Sequence, residues 1–176
     1  MRKLLNSELN RINISEFKKT KKTPIIVILD DIRSLNNIGS VFRTADAFLV
    51  QEIFICGITA RPPHREIHKT ALGATESVNW SYFDHIEQAI GKAKELGFKI
   101  YAIEQTDDSI QFDAFKPQKE DKIAVIFGNE IKGVNEVVLP LIDGNLEIPQ
   151  YGTKHSLNIS VCAGIIIWEL FKALKN

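Results

Sequence analysis

The sequence predicts an α/β domain: a mostly parallel, six-stranded sheet flanked by helices. Three observations carry this. Six short runs rich in Ile, Val, Phe and Tyr recur at 25–30, 52–58, 77–83, 98–105, 123–129 and 145–149. Helix-patterned stretches separate most of them, and strands joined through helices pair in parallel with the helices covering the sheet faces. The 176 residues, 44% hydrophobic and 25% charged, are enough for one buried core.

The elements follow in order. The first 20 or so residues suit a short helix with Leu4, Leu5, Leu9 and Ile12 on one face. Residues 1–24 hold seven Lys/Arg against Glu8 and Glu16, a net charge of +5 that leaves −5 for the rest. Such a basic arm can hold phosphates, or it can be a solvated, frayed end. "KKTKKTP" reads as a linker, which divides the chain into an arm at 1–23 and a domain at 24–176. The strand "IIVILD" leads into a helix over about 38–49, in which Ile38, Val41, Phe42, Ala45, Phe48 and Leu49 recur at helical spacing and Asn36 or Asn37 can cap the start. A second helix covers 85–96, with Asp84 as N-cap, Glu87 as its capping-box partner and Gly97 as the stop. The stretch 106–121 reads as a long loop, 132–142 as a third helix, and Ser156 to about Lys175 as the last. That last helix, "ISVCAGIIIWELFKALKN", is apolar nearly all round until Lys172. A surface helix keeps a polar face, so this one needs a second cover besides the sheet, and a partner subunit supplies one.

Several classes are excluded. No run approaches ~18 consecutive apolar residues, and the N-terminus has no apolar signal core, so neither a membrane nor a secretory route is expected. Cys56 and Cys162 lie in apolar runs and read as buried thiols of a cytoplasmic protein. "HREIH" (64–68) has Arg65 where a zinc-protease helix needs Glu, so no metal is expected. There is no Walker loop, no G-x-G-x-x-G, and no G-x-S-x-G around His155–Ser156.

Three loops carry more small and polar residues than a connector needs. In "SLNNIGSVFRTADAF", Arg43 stands one turn after Gly39 and one turn before Ala47, so its guanidinium fork can lie over a cleared surface and grip a phosphate. "FGNEIKGV" places Gly128, Glu130 and Gly133 at a strand end, where open α/β sheets bind ligands. "LEIPQYGTKHSLNIS" ends a strand at Pro149 and opens the apolar helix with Ser156 and Asn158, whose first-turn amides attract polar ligand atoms.

In order and spacing these loops resemble the SpoU (TrmH-like) family of S-adenosylmethionine-dependent RNA ribose methyltransferases, within the SPOUT superfamily. The family's Asn-x-Gly-x-x-x-Arg-x-Ala matches Asn37, Gly39, Arg43 and Ala45. Its Gly-x-Glu-x-x-Gly matches Gly128, Glu130 and Gly133. Its Ile-Pro and Ser-Leu-Asn-[Val/Ile]-Ser match Ile148–Pro149 and Ser156–Ser160. "HKTALGATESV" is similar to the family's Lys-x-x-x-Gly-Ala segment. The resemblance spans about 24–172. It departs at Leu49, where a glycine commonly stands, and in lacking the extra N-terminal RNA-binding domain of some relatives.

The resemblance implies a C-terminal trefoil knot and a homodimer through the last helix. It implies S-adenosylmethionine as methyl donor, held by Gly128, Asn129, Gly133, Ile148 and Leu157, and tRNA or rRNA as the acceptor. The catalytic set it implies is Arg43, Asn37, Glu130, Ser156 and Asn158. Gly128 would leave room for the donor, and Glu130 would lock the Arg43 guanidinium. A competing class is a non-catalytic RNA-binding module, which would need neither Glu130 nor Asn158. A small-molecule α/β enzyme would need its own nucleophile or phosphate loop, and none is visible.

Overall fold

The structure is a computed structural model that describes residues 1–175. Seven strands form one sheet: β1 (Thr23–Asp30), β2 (Val50–Cys56), β3 (Trp80–Phe83), β4 (Lys99–Ile103), β5 (Ile110–Gln111), β6 (Ile123–Phe127) and β7 (Gly144–Glu147). Their order is β3-β2-β1-β6-β4-β7-β5, and every pairing is parallel. The expected α/β sheet is present with seven strands instead of six. The extra one is β5, two residues inside the stretch read as a loop, too short to show an alternating pattern.

β1 and β6 sit at the centre, and their Ile, Val and Leu side chains are buried on both faces. One face, with Ile25, Val27 and Leu29, is covered by α2 (Leu35–Ala47), α3 (Arg65–Ala71), α4 (Ala74–Ser77) and α6 (Ile159–Lys175). The other, with Ile26 and Ile28, is covered by α5 (Ile86–Glu95) and a 3-10 turn at Glu136–Leu141. α1 (Ile14–Lys19) anchors the N-terminal segment through buried Phe17.

Several boundaries differ from expectation, each for a local reason. No helix spans the first 20 residues. Leu4, Leu5, Leu9 and Ile12 are exposed, and α1 starts only where Asn13 and Glu16 close a reciprocal capping box at 2.9 Å each. α2 begins at Leu35 because Ser34 Oγ, not Asn36 or Asn37, accepts the Asn37 amide. At α5 the bond that closes the first turn is His85 N–H to Gln88 Oε1, which replaces the Asp84–Glu87 pair. Residues 132–142 form no α-helix. Pro140 lies inside that segment, and the chain makes a 3-10 turn capped by Asn135. α3 and α4 were not expected, being short and preceded by Pro62–Pro63. At Leu49 the backbone is left-handed, with φ 54°, as the chain leaves α2 and its amide bonds back to Asp46. The departure from glycine there is therefore a backbone matter, not a packing detail.

α6 buries Ile159, Ala163, Ile166, Ile167, Leu170 and Leu174. Its other side shows Val161, Ile165 and Trp168, which are 52%, 37% and 44% exposed, with Phe48 packed against Trp168 and Phe171. Among the described residues no helix is long and apolar enough to cross a membrane.

Candidate active site

At the carboxyl end of the sheet, the segments after β6 and β7 and the start of α6 enclose a cavity of about 780 Å³. Gly128, Asn129, Gly133, Ile148 and Leu157, the residues named for donor binding, all line it. So do Glu130, Ser156 and Asn158, whereas Asn37 and Arg43 do not. Its size falls in the range of small-molecule sites, and its wall mixes apolar side chains with backbone polar groups.

The loop after β6 is a tight turn built by its own residues. Asn129 Oδ1 accepts the amides of Ile131 and Lys132 at 3.0 and 3.1 Å, and its Nδ2 donates to the Asp31 carbonyl at 2.7 Å. A Cβ on Gly128 would run into the Gly133 carbonyl and the Val134 amide. The space beside Gly128 is thus taken by the turn itself, not left for a ligand. Glu104, at the end of β4, completes the turn by accepting the amides of Val134 and Gln105 at 2.9 Å each. A Glu after a strand gives no sequence signal for this, and it was missed.

A relay of hydrogen bonds joins the three motif loops. Glu130 accepts the backbone amides of Arg33 and Ser34 at 3.0 Å each, and the Asn37 side-chain amide at 3.3 Å. Asn37 Oδ1 in turn accepts from Asn158 Nδ2 at 3.2 Å. Asn158 caps α6, its Oδ1 accepting the Ser160 amide at 2.9 Å and hydroxyl at 2.7 Å. α6 therefore starts at Ile159, not Ser156, and its first-turn amides are already partly satisfied. Burial pushes the Glu130 carboxyl up, but the amides of Arg33, Ser34 and Glu130 itself and the Asn37 side chain outweigh it. The net result lies below the ordinary value of 4.5.

Glu130 does not hold Arg43. The Arg43 guanidinium is exposed and makes no hydrogen bond or ion pair among the described residues. Nor does Gly39 clear a surface for it. Gly39 is buried, and a Cβ there would strike Thr70 Oγ1 and the Ile67 carbonyl of α3. That glycine lets two helices touch. Ser156 is exposed at the cavity wall, with no hydrogen bond among the described residues. Cys162 also lines the cavity, and burial, followed by the Glu104 charge, pushes its thiol up to about 12. It stays protonated and inert beside any electrophile bound there.

Residues 24–168 match the SpoU rRNA Methylase family. The chain belongs to that family. Its relatives include the tRNA (guanosine(18)-2'-O)-methyltransferase of Thermus thermophilus, 32% identical over 93% of this chain and 82% of that protein. The 23S rRNA (guanosine-2'-O-)-methyltransferase RlmB of Neisseria meningitidis is 28% identical over 98% of this chain and 69% of its own length. An AdoMet-bound rRNA methyltransferase from Sinorhizobium meliloti has the same fold, with a TM-score of 0.79 and 24% identity over 90% of this chain and 60% of that one. In this SpoU-family chain the cavity, the relay and Arg43 thus occupy the three segments that carry the family's motifs.

Proposed function

We propose that this chain is an S-adenosylmethionine-dependent RNA methyltransferase acting on a ribose 2'-hydroxyl of tRNA or rRNA. The observation that carries the reading is the relay. Glu130, Asn37 and Asn158 tie the wall of a donor-sized cavity to the helix that presents an unpaired Arg43. A module that only bound RNA would have no use for that cavity.

Gly128, Asn129, Gly133, Ile148 and Leu157, which line the cavity between the second and third motifs, would hold the donor, with backbone polar groups at Ile148 and Leu157 available to its adenine. When bound, the donor would supply a methyl group on a sulfonium: the carbon–sulfur bond would break as the ribose oxygen takes the methyl, S-adenosylhomocysteine would leave, and the hydroxyl proton would pass to solvent water. Arg43 grips the neighbouring phosphate and stabilises the oxygen as it becomes anionic. A guanidinium stays charged at physiological pH, so it serves poorly as a base and well as an anion clamp. Ser156 meets the ribose from the cavity side. Asn37, Glu130 and Asn158 position α2 without touching the reacting atoms.

The finer features belong to the same proposal. The C-terminal segment threads a trefoil knot, and residues 1–23 form a basic arm beside a domain at 24–176. The protein works in the cytoplasm as a homodimer, through the α6 stripe Val161, Ile165 and Trp168. Ile166 and Ile167 already sit in this chain's own core. Sedimentation should give a mass near twice 19.9 kDa. Ile165→Glu, placed on the exposed stripe, should give a folded monomer, and an unaltered dimer would reject this interface.

The central test is calorimetry with S-adenosylhomocysteine, followed by transfer of labelled methyl to unmodified tRNA and rRNA with mapping of 2'-O-methyl sites. Binding and ribose methylation are expected. No heat at millimolar ligand, or a methyl group found on a base, would reject the reading.

A further inference from the structure

A second cavity, of about 480 Å³, lies along the β3 edge and shares no residue with the donor cavity. Its lining includes Pro63, His64, Arg65, His68, Glu76 and Trp80. We propose that this slot holds an unpaired guanine of the RNA substrate, away from the reacting ribose. The proposal rests on the RNA reading above.

The lining chemistry selects a planar ring with a polar edge. Trp80 is half-buried, and its planar indole, with Pro62 and Pro63 in the same lining, offers apolar surface that suits base stacking. His64 Nδ1 accepts the Glu66 amide at 3.2 Å, so a neutral ring carries its proton on Nε2, a donor that this bond leaves unused. The Arg65 guanidinium and the Glu76 carboxylate make no hydrogen bond or ion pair among the described residues. A carboxylate can only accept, and it accepts two parallel bonds. Guanine alone presents two adjacent N–H donors, N1–H and the 2-amino group, on one edge. Adenine and cytosine set a lone pair beside their amino group there, and uracil flanks its single N–H with two carbonyls. Glu76 therefore favours guanine, with Arg65 and His64 placed to donate to its O6 or to a phosphate.

The slot is also joined to the proposed active site. Its proline rim follows β2 at the same sheet end as the donor cavity. Thr59 ties that loop to the segment before α2, donating to the Leu29 carbonyl at 3.1 Å and accepting the Ile32 amide at 2.8 Å. α3, which carries Arg65 and His68, packs on α2 at Gly39, four residues before Arg43, and Thr70 Oγ1 donates to the Asn36 carbonyl at 3.1 Å.

The test uses the full chain labelled with 5-fluorotryptophan. Its two tryptophans, Trp80 and Trp168, give two fluorine resonances, assigned with Trp168→Phe. With S-adenosylhomocysteine present to occupy the donor cavity, guanosine 5'-monophosphate at millimolar concentration should shift the Trp80 resonance saturably. The adenosine, cytidine and uridine monophosphates should bind about tenfold more weakly or worse. Glu76→Gln should keep the resting Trp80 resonance and lose the guanine preference. An unmoved Trp80 signal, equal response to all four nucleotides, or an unchanged preference in Glu76→Gln would overturn the proposal. So would a Trp80 resonance that responds to protein concentration instead, because a second copy would then cover the slot. None of these readings needs methyl transfer. Failed RNA methylation with the guanine response intact would sink the proposed function and, with it, the assignment of the bound guanine to an RNA substrate, while leaving a guanine-binding slot; the reverse result would sink this site alone.

Discussion

The N-terminal end of α2 and Arg43, in its second half, are held in opposite ways. Its N-terminal end is fixed by the Glu130 carboxylate on the Arg33 and Ser34 amides and by the Glu130–Asn37–Asn158 chain. About 9 Å further along the axis, at 1.5 Å per residue, Arg43 is exposed and makes no hydrogen bond or ion pair among the described residues. The lesson is that polar residues of one set of motifs need not share one job. Those at the N-terminal end satisfy one another and set where the helix lies. Arg43 and Ser156 keep their hydrogen-bonding capacity for something outside the chain.

The largest effect should therefore come from Arg43. Arg43→Ala should lower methyl transfer at least ~100-fold and leave donor affinity unchanged, as for loss of an oxyanion-stabilising group. Arg43→Lys should recover little, because an ammonium cannot make the bidentate contact. Normal turnover by Arg43→Ala would make it an ordinary surface arginine and erase the contrast with the N-terminal end.

The middle of α2 gives the next effect. Adding a methyl at Gly39 forces α3 away, since the Ile67 carbonyl is backbone and cannot rotate aside. Overpacking of this kind costs about 1–3 kcal/mol, and the better helix propensity of Ala offsets roughly 1. Gly39→Ala should thus lower the melting temperature by several degrees while Arg43 keeps its exposure. If stability is unchanged and RNA affinity falls, the glycine faces RNA after all.

That ambiguity at Gly39 marks where the sequence stops being legible. Apolar runs alternating with helical spacing were enough for the parallel sheet, because burying both faces of β1 and β6 leaves continuous Ile and Val. The resemblance to the SpoU family also brought Gly128, Glu130 and Asn158 to one cavity. It could not say which neighbour fills the space beside a glycine, and at both Gly39 and Gly128 the neighbour is the protein's own backbone. The resemblance also implied that Glu130 locks Arg43, whereas the Arg33 and Ser34 amides and the Asn37 side chain hold that carboxylate. β5, α3 and α4 escaped because two, seven and four residues are too few for a period to show.

The smallest effect lies in the charge of Glu130, and it isolates the fixed end. Its folded-state carboxyl sits below 4.5, so the relay's contribution is full above the unfolded value and fades as pH falls through the folded one. Protonation converts charge-assisted bonds from Arg33 and Ser34 into ordinary ones, a loss of about 1 kcal/mol before discounting for the solvent that reaches this side chain. Hydrogen exchange at those two amides should therefore lose protection as pH drops below 4.5 in the native protein, beyond the intrinsic pH dependence of exchange. Glu130→Gln should show the reduced protection at every pH and no such step. Its donor affinity should fall by a few-fold, because Glu130 lines the cavity, while the exposure of Arg43 stays the same. If the step survives in Glu130→Gln, another acid holds α2, and the N-terminal end and Arg43 are not set apart by this relay.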